Sequence, residues 1–485
     1  MPADPRFSSV LNAAQRGWKN RASDETLLSL ALPLDGIDPL RALPRLEPTS
    51  PFRVLLDSSP GLCLAASGCC QQLELAGPRR FELTQRFADL TLTRLQDTAP
   101  QAPAQARPRV LLRFHFFDQV GEHHRGDEQT PAVEAVLPRW QLSRQGTRGW
   151  LRLNGSVSHE AEARILAEQL WLQHQALQSR ELRTNALNAN ALSASTLGDS
   201  DRASRVPQLL GSPDPDSWQE RYASALERGL ELVDSGELHK LVLAVRQSMN
   251  LDAPYNPLPL LQRLRHQQAD SCRFLWQRSS DDAFFGASPE RLLSLRGGWL
   301  RSDALAGTAG HGDDGQLLLR SEKDRREHEL VVETITEQLQ RNGLKPHRRP
   351  QPQLARHGHL THLHTPISAA MGNIPVLTLV EQLHPTPAVA GLPRREAMAW
   401  LRTLEPFDRG SYAAPLGWID SSGDAELRVA IRCGQARGRQ LDLTAGAGLV
   451  RGSEAERERQ EVGLKLAVLA DQLELQTSAC KRSIV

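Results

Sequence analysis

Two acidic segments far apart in the chain carry carboxylates at one matched spacing, and a fold that uses both must bring two distant helices together. The first, Ser-Glu-Lys-Asp-Arg-Arg-Glu-His-Glu, reads as a helix in which Asp324 and Glu327 lie three apart on one face. The second follows Gly446-Ala447-Gly448, reads as capped by Ser453, and repeats the spacing with Glu458 and Glu461. Four carboxylates from two helices suit a hard dication such as Mg2+, which takes carboxylates plus waters and bridges to anionic substrates. Glutamates so spaced are also what an ordinary solvated helix face displays, so their companions must decide.

The 485 residues suffice for one large domain or two to three ordinary ones, and 40% apolar content can build a sizeable core. With 58 basic and 57 acidic residues, no global charge bias points to nucleic acid or an anionic membrane as partner. Cys63, Cys69, Cys70, Cys272, Cys433 and Cys480 include no C-x-x-C pair, so they read as reduced thiols of a cytoplasmic protein. No apolar signal core opens the chain and no apolar stretch is long enough to span a bilayer, so neither secretion nor membrane insertion is expected.

Residues 1–182 alternate apolar runs with Pro and charge, with strands expected at 109–117 and 149–153 and a helix at 160–177. Residues 183–216 are rich in Asn, Ala, Ser, Gly, Asp and Pro, and read as a mobile surface segment. An amphipathic helix at 217–235 and strands at 240–246, 273–276, 283–286 and 291–295 open the region 217–475. Strands at 412–420, 426–436 and 441–445, then the second acidic helix to about 473, complete it before a tail at 476–485. The pattern predicts an α/β (α+β) protein with much antiparallel sheet.

Within this frame, strand alternation places Lys240 with Val242 and Ala244. On an exposed face it is an ordinary surface lysine; lining a cavity, desolvation would lower its pKa and make it a candidate general base. Glu290 follows the tight turn at Pro289, where it is either a solvated turn acid or, if partly buried, a general acid with a raised pKa. Leu-Ala-Gly-Thr-Ala-Gly at 305–310 and Ala-Gly-Ala-Gly at 445–448 read as small-residue turns that let backbone amides approach an anion, the second opening onto a helix N-terminus. Arg432 is expected inside a strand, outward, or inward with a carboxylate partner. His362 and His364 share a strand face; no third ligand at zinc spacing lies nearby, so hydrogen bonding is their expected role.

Taken in order, H-K-L-V-L-A, F-G-A-S-P-E, L-A-G-T-A-G, S-E-K-D-R-R-E-H-E-L, T-H-L-H-T-P, H-P-T-P-A-V-A-G, E-P-F-D-R-G-S-Y, I-R-C-G, A-G-A-G-L-V and E-R-Q-E-V-G-L-K-L closely resemble the chorismate-utilising enzymes, in particular the isochorismate synthases. The motifs run over 217–473, and the region before 183 matches only loosely. The resemblance implies one large domain of two sheet-plus-helix halves packed sheet against sheet, with the site in the second half.

It further implies that Lys240 activates water for attack at C2 of chorismate and that Glu290 protonates the departing C4 hydroxyl. Glu327 and Glu461 are implied as direct Mg2+ ligands, with Asp324 and Glu458 acting through metal-bound waters. Arg432, Tyr412 and the backbone of Gly446, Ala447 and Gly448 match positions that clamp the enolpyruvyl carboxylate. Gly307, Thr308 and His362 match pocket positions, and Lys465 a lysine near the metal. Ammonia-using relatives that make aminodeoxychorismate typically carry a nucleophilic lysine where this chain has Ala306, and anthranilate synthases usually lack the lysine present here as Lys240, so water is the expected nucleophile and no glutaminase subunit is expected. Salicylate synthases, which go on to eliminate pyruvate, share the same site; His364 stands where relatives of the family more often have a small residue, which leaves the product choice open. Whether the product would serve menaquinone, phylloquinone, siderophore or salicylate biosynthesis stays open.

Overall fold

Short apolar runs joined by tight turns leave little chain for crossovers, so neighbouring strands pair antiparallel. The computed structural model describes residues 4–21, 25–58, 60–119, 131–178, 206–210, 217–310 and 315–476. Most of the 183–216 segment and nearly all of the tail lie outside the described residues. The described piece at 206–210 is not mere surface: Gln208 and Leu209 bridge to Gln476 and Leu251, and Leu209 is buried.

The first half comprises α1 (Pro5–Lys19), β1 (Thr26–Pro33), α2 (Pro39–Leu46), β2 (Arg53–Asp57), β3 (Leu62–Leu75), α3 (Arg80–Arg94), β4 (Leu95–Asp97), β5 (Arg109–Phe114), β6 (Val133–Gln145), β7 (Arg148–Val157) and α4 (Glu160–Leu177). The second begins with α5 (Ser217–Asp234), β8 (Lys240–Asn250), α6 (Leu258–Gln267), β9 (Cys272–Gln277), β10 (Asp282–Ser288), β11 (Arg291–Arg296) and β12 (Trp299–Ala309). Helices α7 (Gln316–Arg320) and α8 (Glu322–Arg341), strands β13 (His347–Arg348), β14 (Gln353–His357) and β15 (Leu360–Ala370), α9 (Val376–Leu383), β16 (Gly391–Leu392) and α10 (Arg394–Leu404) follow. Strands β17 (Pro415–Asp420), β18 (Ala425–Val429), β19 (Cys433–Arg437), β20 (Gln440–Val450) and helix α11 (Ala455–Ala470) close the fold.

The two halves share one hydrogen-bonded ladder, since β2 pairs with β9 and β5 with β17. From β9 the ladder continues through β10, β19 and β20 to β8. From β17 it continues through β18, β11 and β12 to β15. Among the described residues, β1 with β4 is the parallel pair of named strands. One apolar core runs through both halves. No described helix is long and apolar enough to cross a membrane.

Three local expectations are corrected. The strand expected over 426–436 is two strands, β18 and β19, broken at Arg432, whose φ of 53° is left-handed. An apolar run predicts extended backbone but carries no sign of a single residue turned against it. The glycines at 446–448 are not a turn: they lie inside β20, where small residues let strands and side chains approach closely. Ser453 does not cap α11; Glu454 occupies the N-cap without a side-chain bond, and the Ser453 hydroxyl instead accepts from the Val450 amide at 3.2 Å.

Candidate active site

A cleft of about 610 Å3, partly open to solvent, collects residues from β8, β12, β15, β20, α8 and α11. Lys240, Glu290, Gly307, Thr308, Glu327, His362, Tyr412, Arg432, Gly446, Gly448, Glu461 and Lys465 all line it. Ala447 does not; it is fully buried within β20. Asp324 and Glu458 are not in the lining; both stand behind it on the two acidic helices.

Lys240 opens β8 with its side chain only 1% exposed, and its Nζ lies 2.8 Å from Glu327 Oε1. Val242 lines the same cleft, as alternation requires. The pair depends on Gly448: a Cβ there would stand 2.6 Å from Glu327 Oε1 and 3.0 Å from Lys240 Cε. Gly448→Ala is therefore expected to displace both groups and lower kcat about tenfold, since small misplacements of reacting groups are costly, while thermal unfolding changes little. Steady-state kinetics beside a melting curve checks this, and unchanged kcat would show that the cleft tolerates the methyl group.

Glu290 sits between β10 and β11 and is nearly fully buried. Burial pushes its carboxyl up to about 8, even though Lys240 and Arg432 oppose the shift. The acid is thus largely protonated near neutral pH.

The far wall is built on a bulge. Gly307 takes φ of 71°, and the β12–β15 register shifts between Ala306 and Thr308. A left-handed residue in the bulge favours glycine and re-aims its neighbours. The freed Gly307 carbonyl lies 2.9 Å from His362 Nδ1, so that nitrogen must donate. His362 Nε2 then accepts from Arg432 Nη2 at 2.7 Å. Burial and the adjoining guanidinium hold His362 well below the usual imidazole range, which keeps it neutral as this chain of bonds demands.

Arg432 is buried, and burial lowers its pKa to about 10. Its Nη1 has no hydrogen-bond partner. A buried guanidinium with an unmatched donor beside a cleft is suited to receive a carboxylate. Tyr412, in the turn before β17 rather than in a strand, lies close by, since a Cβ at Gly446 would stand 3.1 Å from its hydroxyl. Lys465 Nζ donates to the Gly446 carbonyl at 2.8 Å. Within a strand the carbonyl and amide of one residue face one edge, so the Gly446 amide, and that of Gly448 two residues on, face the open edge of β20. The Ala447 amide faces β8 instead. The expected backbone contact therefore falls to the two glycines.

Three of the four carboxylates each hold a cation. Glu327 holds Lys240, Glu458 Oε1 lies 2.7 Å from Lys323 Nζ, and Glu461 Oε1 lies 2.7 Å from Lys465 Nζ. The Thr308 hydroxyl donates to Glu461 at 2.9 Å. Burial would raise Glu461, but Lys465 and Thr308 outweigh it and leave its pKa lowered. Burial and the neighbouring Glu461 push Glu458 up to about 7 against the pull of Lys323. Asp324 is raised by burial and, more weakly, by Glu327 and Glu461, while its amide donates to the hydroxyl of the N-cap Ser321 at 3.2 Å. Among the described residues no three acidic, histidine or cysteine groups stand close enough to hold an ion as placed.

Sequence reasoning gave no role to Leu305, Ala388, Val389, Ile431 and Ala445, which also line the cleft. Ala388 and Val389 lie in H-P-T-P-A-V-A-G, and their proline-rich setting was the available signal. His364, on β15, bonds Asp303 Oδ1 at 3.1 Å. Cys63, Cys69, Cys70, Cys272 and Cys433 are free thiols, and Cys480 lies outside the described residues.

A family model for chorismate binding enzymes matches residues 10–474. The chain belongs to the chorismate-binding enzyme family. Family relatives include the salicylate biosynthesis isochorismate synthase of Pseudomonas aeruginosa, 39% identical over 53% of this chain and 54% of that protein. Isochorismate synthase MenF of Bacillus subtilis is 36% identical over 52% of this chain and 54% of its own length. Isochorismate synthase EntC of Escherichia coli is 37% identical over 52% of this chain and 66% of its own length. The aligned stretch thus spans about half the length of the first two relatives. Among solved structures, the menaquinone-specific isochorismate synthase MenF of Escherichia coli superposes with a TM-score of 0.70 at 25% identity, covering 96% of this chain and 100% of that one. Anthranilate synthase component I of Streptococcus pneumoniae shares the fold, with a TM-score of 0.64 at 19% identity.

Proposed function

We propose that the chain is an isochorismate synthase, an isomerase that converts chorismate to isochorismate in the cytoplasm without a glutaminase partner. The observation that carries the proposal is the buried Lys240 in a cleft where Ala306 stands at the place of the nucleophilic lysine of ammonia-using relatives. Lys240, as the free amine, takes a proton from water as the water oxygen bonds to C2. The ring double bonds shift, the C4–O bond breaks, and Glu290 gives its proton to the leaving hydroxyl. One water enters and one leaves, so the change is an isomerisation, and proton exchange with solvent restores acid and base. A carboxyl pushed up to about 8 is suited to the donor's part.

The substrate is a dianion, and cations are needed at both ends. Arg432, with its unmatched Nη1, Tyr412 and the edge amides of Gly446 and Gly448 are placed to receive the enolpyruvyl carboxylate; Gly307, Thr308 and His362 shape the wall beside it. At the other end the donor set is all oxygen, and buried carboxylates that raise one another call for positive charge. Glu327 and Glu461 would hold Mg2+ directly, with Asp324 and Glu458 through waters, and Lys465 beside them. When bound, Mg2+ would neutralise the ring carboxylate. Menaquinone, phylloquinone and siderophore routes all consume such a product.

The test is chromatography of products from purified protein, chorismate and Mg2+ without ammonia. Isochorismate alone is expected. Stoichiometric salicylate and pyruvate would move the assignment to salicylate synthesis, and strict dependence on ammonia would sink the water mechanism.

A further inference from the structure

Of the three lysines paired with carboxylates of the acidic helices, Lys240 and Lys465 line the cleft, whereas Lys323 does not. Lys323 stands on the first turn of α8, after the N-cap Ser321, and reaches across to Glu458 of α11. The Glu458 side chain is 2% exposed, so its charge has almost no water to solvate it. Glu327 and Glu461 also act on the Lys323 ammonium, which thus faces three carboxylates from both helices. Its own side chain is 28% exposed and has a way out to solvent.

Resting on the metal reading above, we infer that Lys323 is a built-in counter-ion that stands in for the divalent cation in the metal-free protein and competes with it for Glu458. A long flexible amine can supply charge where helices α8 and α11 meet, then swing to water when a dication arrives. Bound metal and a retained ammonium repel each other across a short gap, so Lys323 weakens metal binding while it keeps the empty helix pair from splaying. Lys323 is a positioning residue in this scheme, since it touches neither substrate nor reacting atoms.

The experiment is calorimetric titration of Mg2+ into the chelator-treated full chain without substrate, beside melting curves with and without Mg2+. Lys323→Met should bind Mg2+ about tenfold tighter than the unaltered protein, melt lower when metal-free, and gain more in Tm on adding Mg2+. Lys323→Arg keeps the charge and should match the unaltered protein. Unchanged or weaker Mg2+ binding by Lys323→Met would overturn the inference, as would equal tightening in Lys323→Arg. If neither the unaltered protein nor Lys323→Met binds Mg2+, the metal reading falls and takes this inference with it.

Discussion

Lys240→Ala and Glu290→Gln are each expected to lower kcat by roughly 10²-fold or more, the scale for losing a positioned proton-transfer group. KM should move less, because Arg432 and the acidic helices still hold the two ends of the substrate. The pH profile separates the two roles. Glu290 must carry its proton to act, and its carboxyl is pushed up to about 8, so the rate should fall as pH rises through that value. Lys240 acts as the free amine, and the limb of the profile that Lys240→Ala abolishes is its own. Each limb should vanish in its own mutant; Lys240→Ala with near-normal turnover and both limbs intact would sink the mechanism. Stability gives an independent reading. A carboxyl whose folded pKa lies above its ordinary 4.5 contributes stability fully present below that value and lost as pH rises through about 8. Glu290→Gln should therefore gain Tm relative to the unaltered protein at pH 9 and not at pH 4, which melting curves at both values check.

Glu327→Gln and Glu461→Gln should each cost at least about 10² in activity at fixed Mg2+, with partial recovery at higher metal, because each would remove one charged ligand from the proposed Mg2+ site, which has few direct protein contacts. Glu454→Gln is the control. Its side chain is 65% exposed at the start of α11 and pairs with Arg457, away from the cleft. Activity measured against Mg2+ concentration tests all three, and similar losses at Glu454 would mean that the face assignment is wrong.

What could be read from the sequence follows from range. Period-two alternation needs only neighbours, and it placed Lys240 and Val242 on one side of β8, as the cleft shows. Helix 160–177 was legible because its apolar positions and acidic first turn are local signals. Arg432 was misplaced because a left-handed residue between two apolar strands is imposed by tertiary contacts, here the Arg432 carbonyl on the Ala287 amide at 3.0 Å and the guanidinium on His362. The place of Gly446 and Gly448 inside a strand is not legible because glycine's usual signal is conformational, whereas here its value is the absence of a side chain against Lys240, Glu327 and Tyr412. The role of Lys323 is not legible either, since pairing with Glu458 across 135 positions leaves no trace in spacing.

The joints between the halves have a consequence for cutting the chain. Strand β9 is paired on one side by β10 and on the other by β2; β17 lies between β18 and β5. A fragment starting at α5 would keep every residue of the cleft yet bare two rows of amides and carbonyls, along apolar strands that carry Phe274, Trp276 and Trp418. Raw strand edges of that kind recruit other chains. The first half, which contributes no side chain to the cleft lining, thus covers the strand edges that the cleft-bearing half would otherwise leave bare.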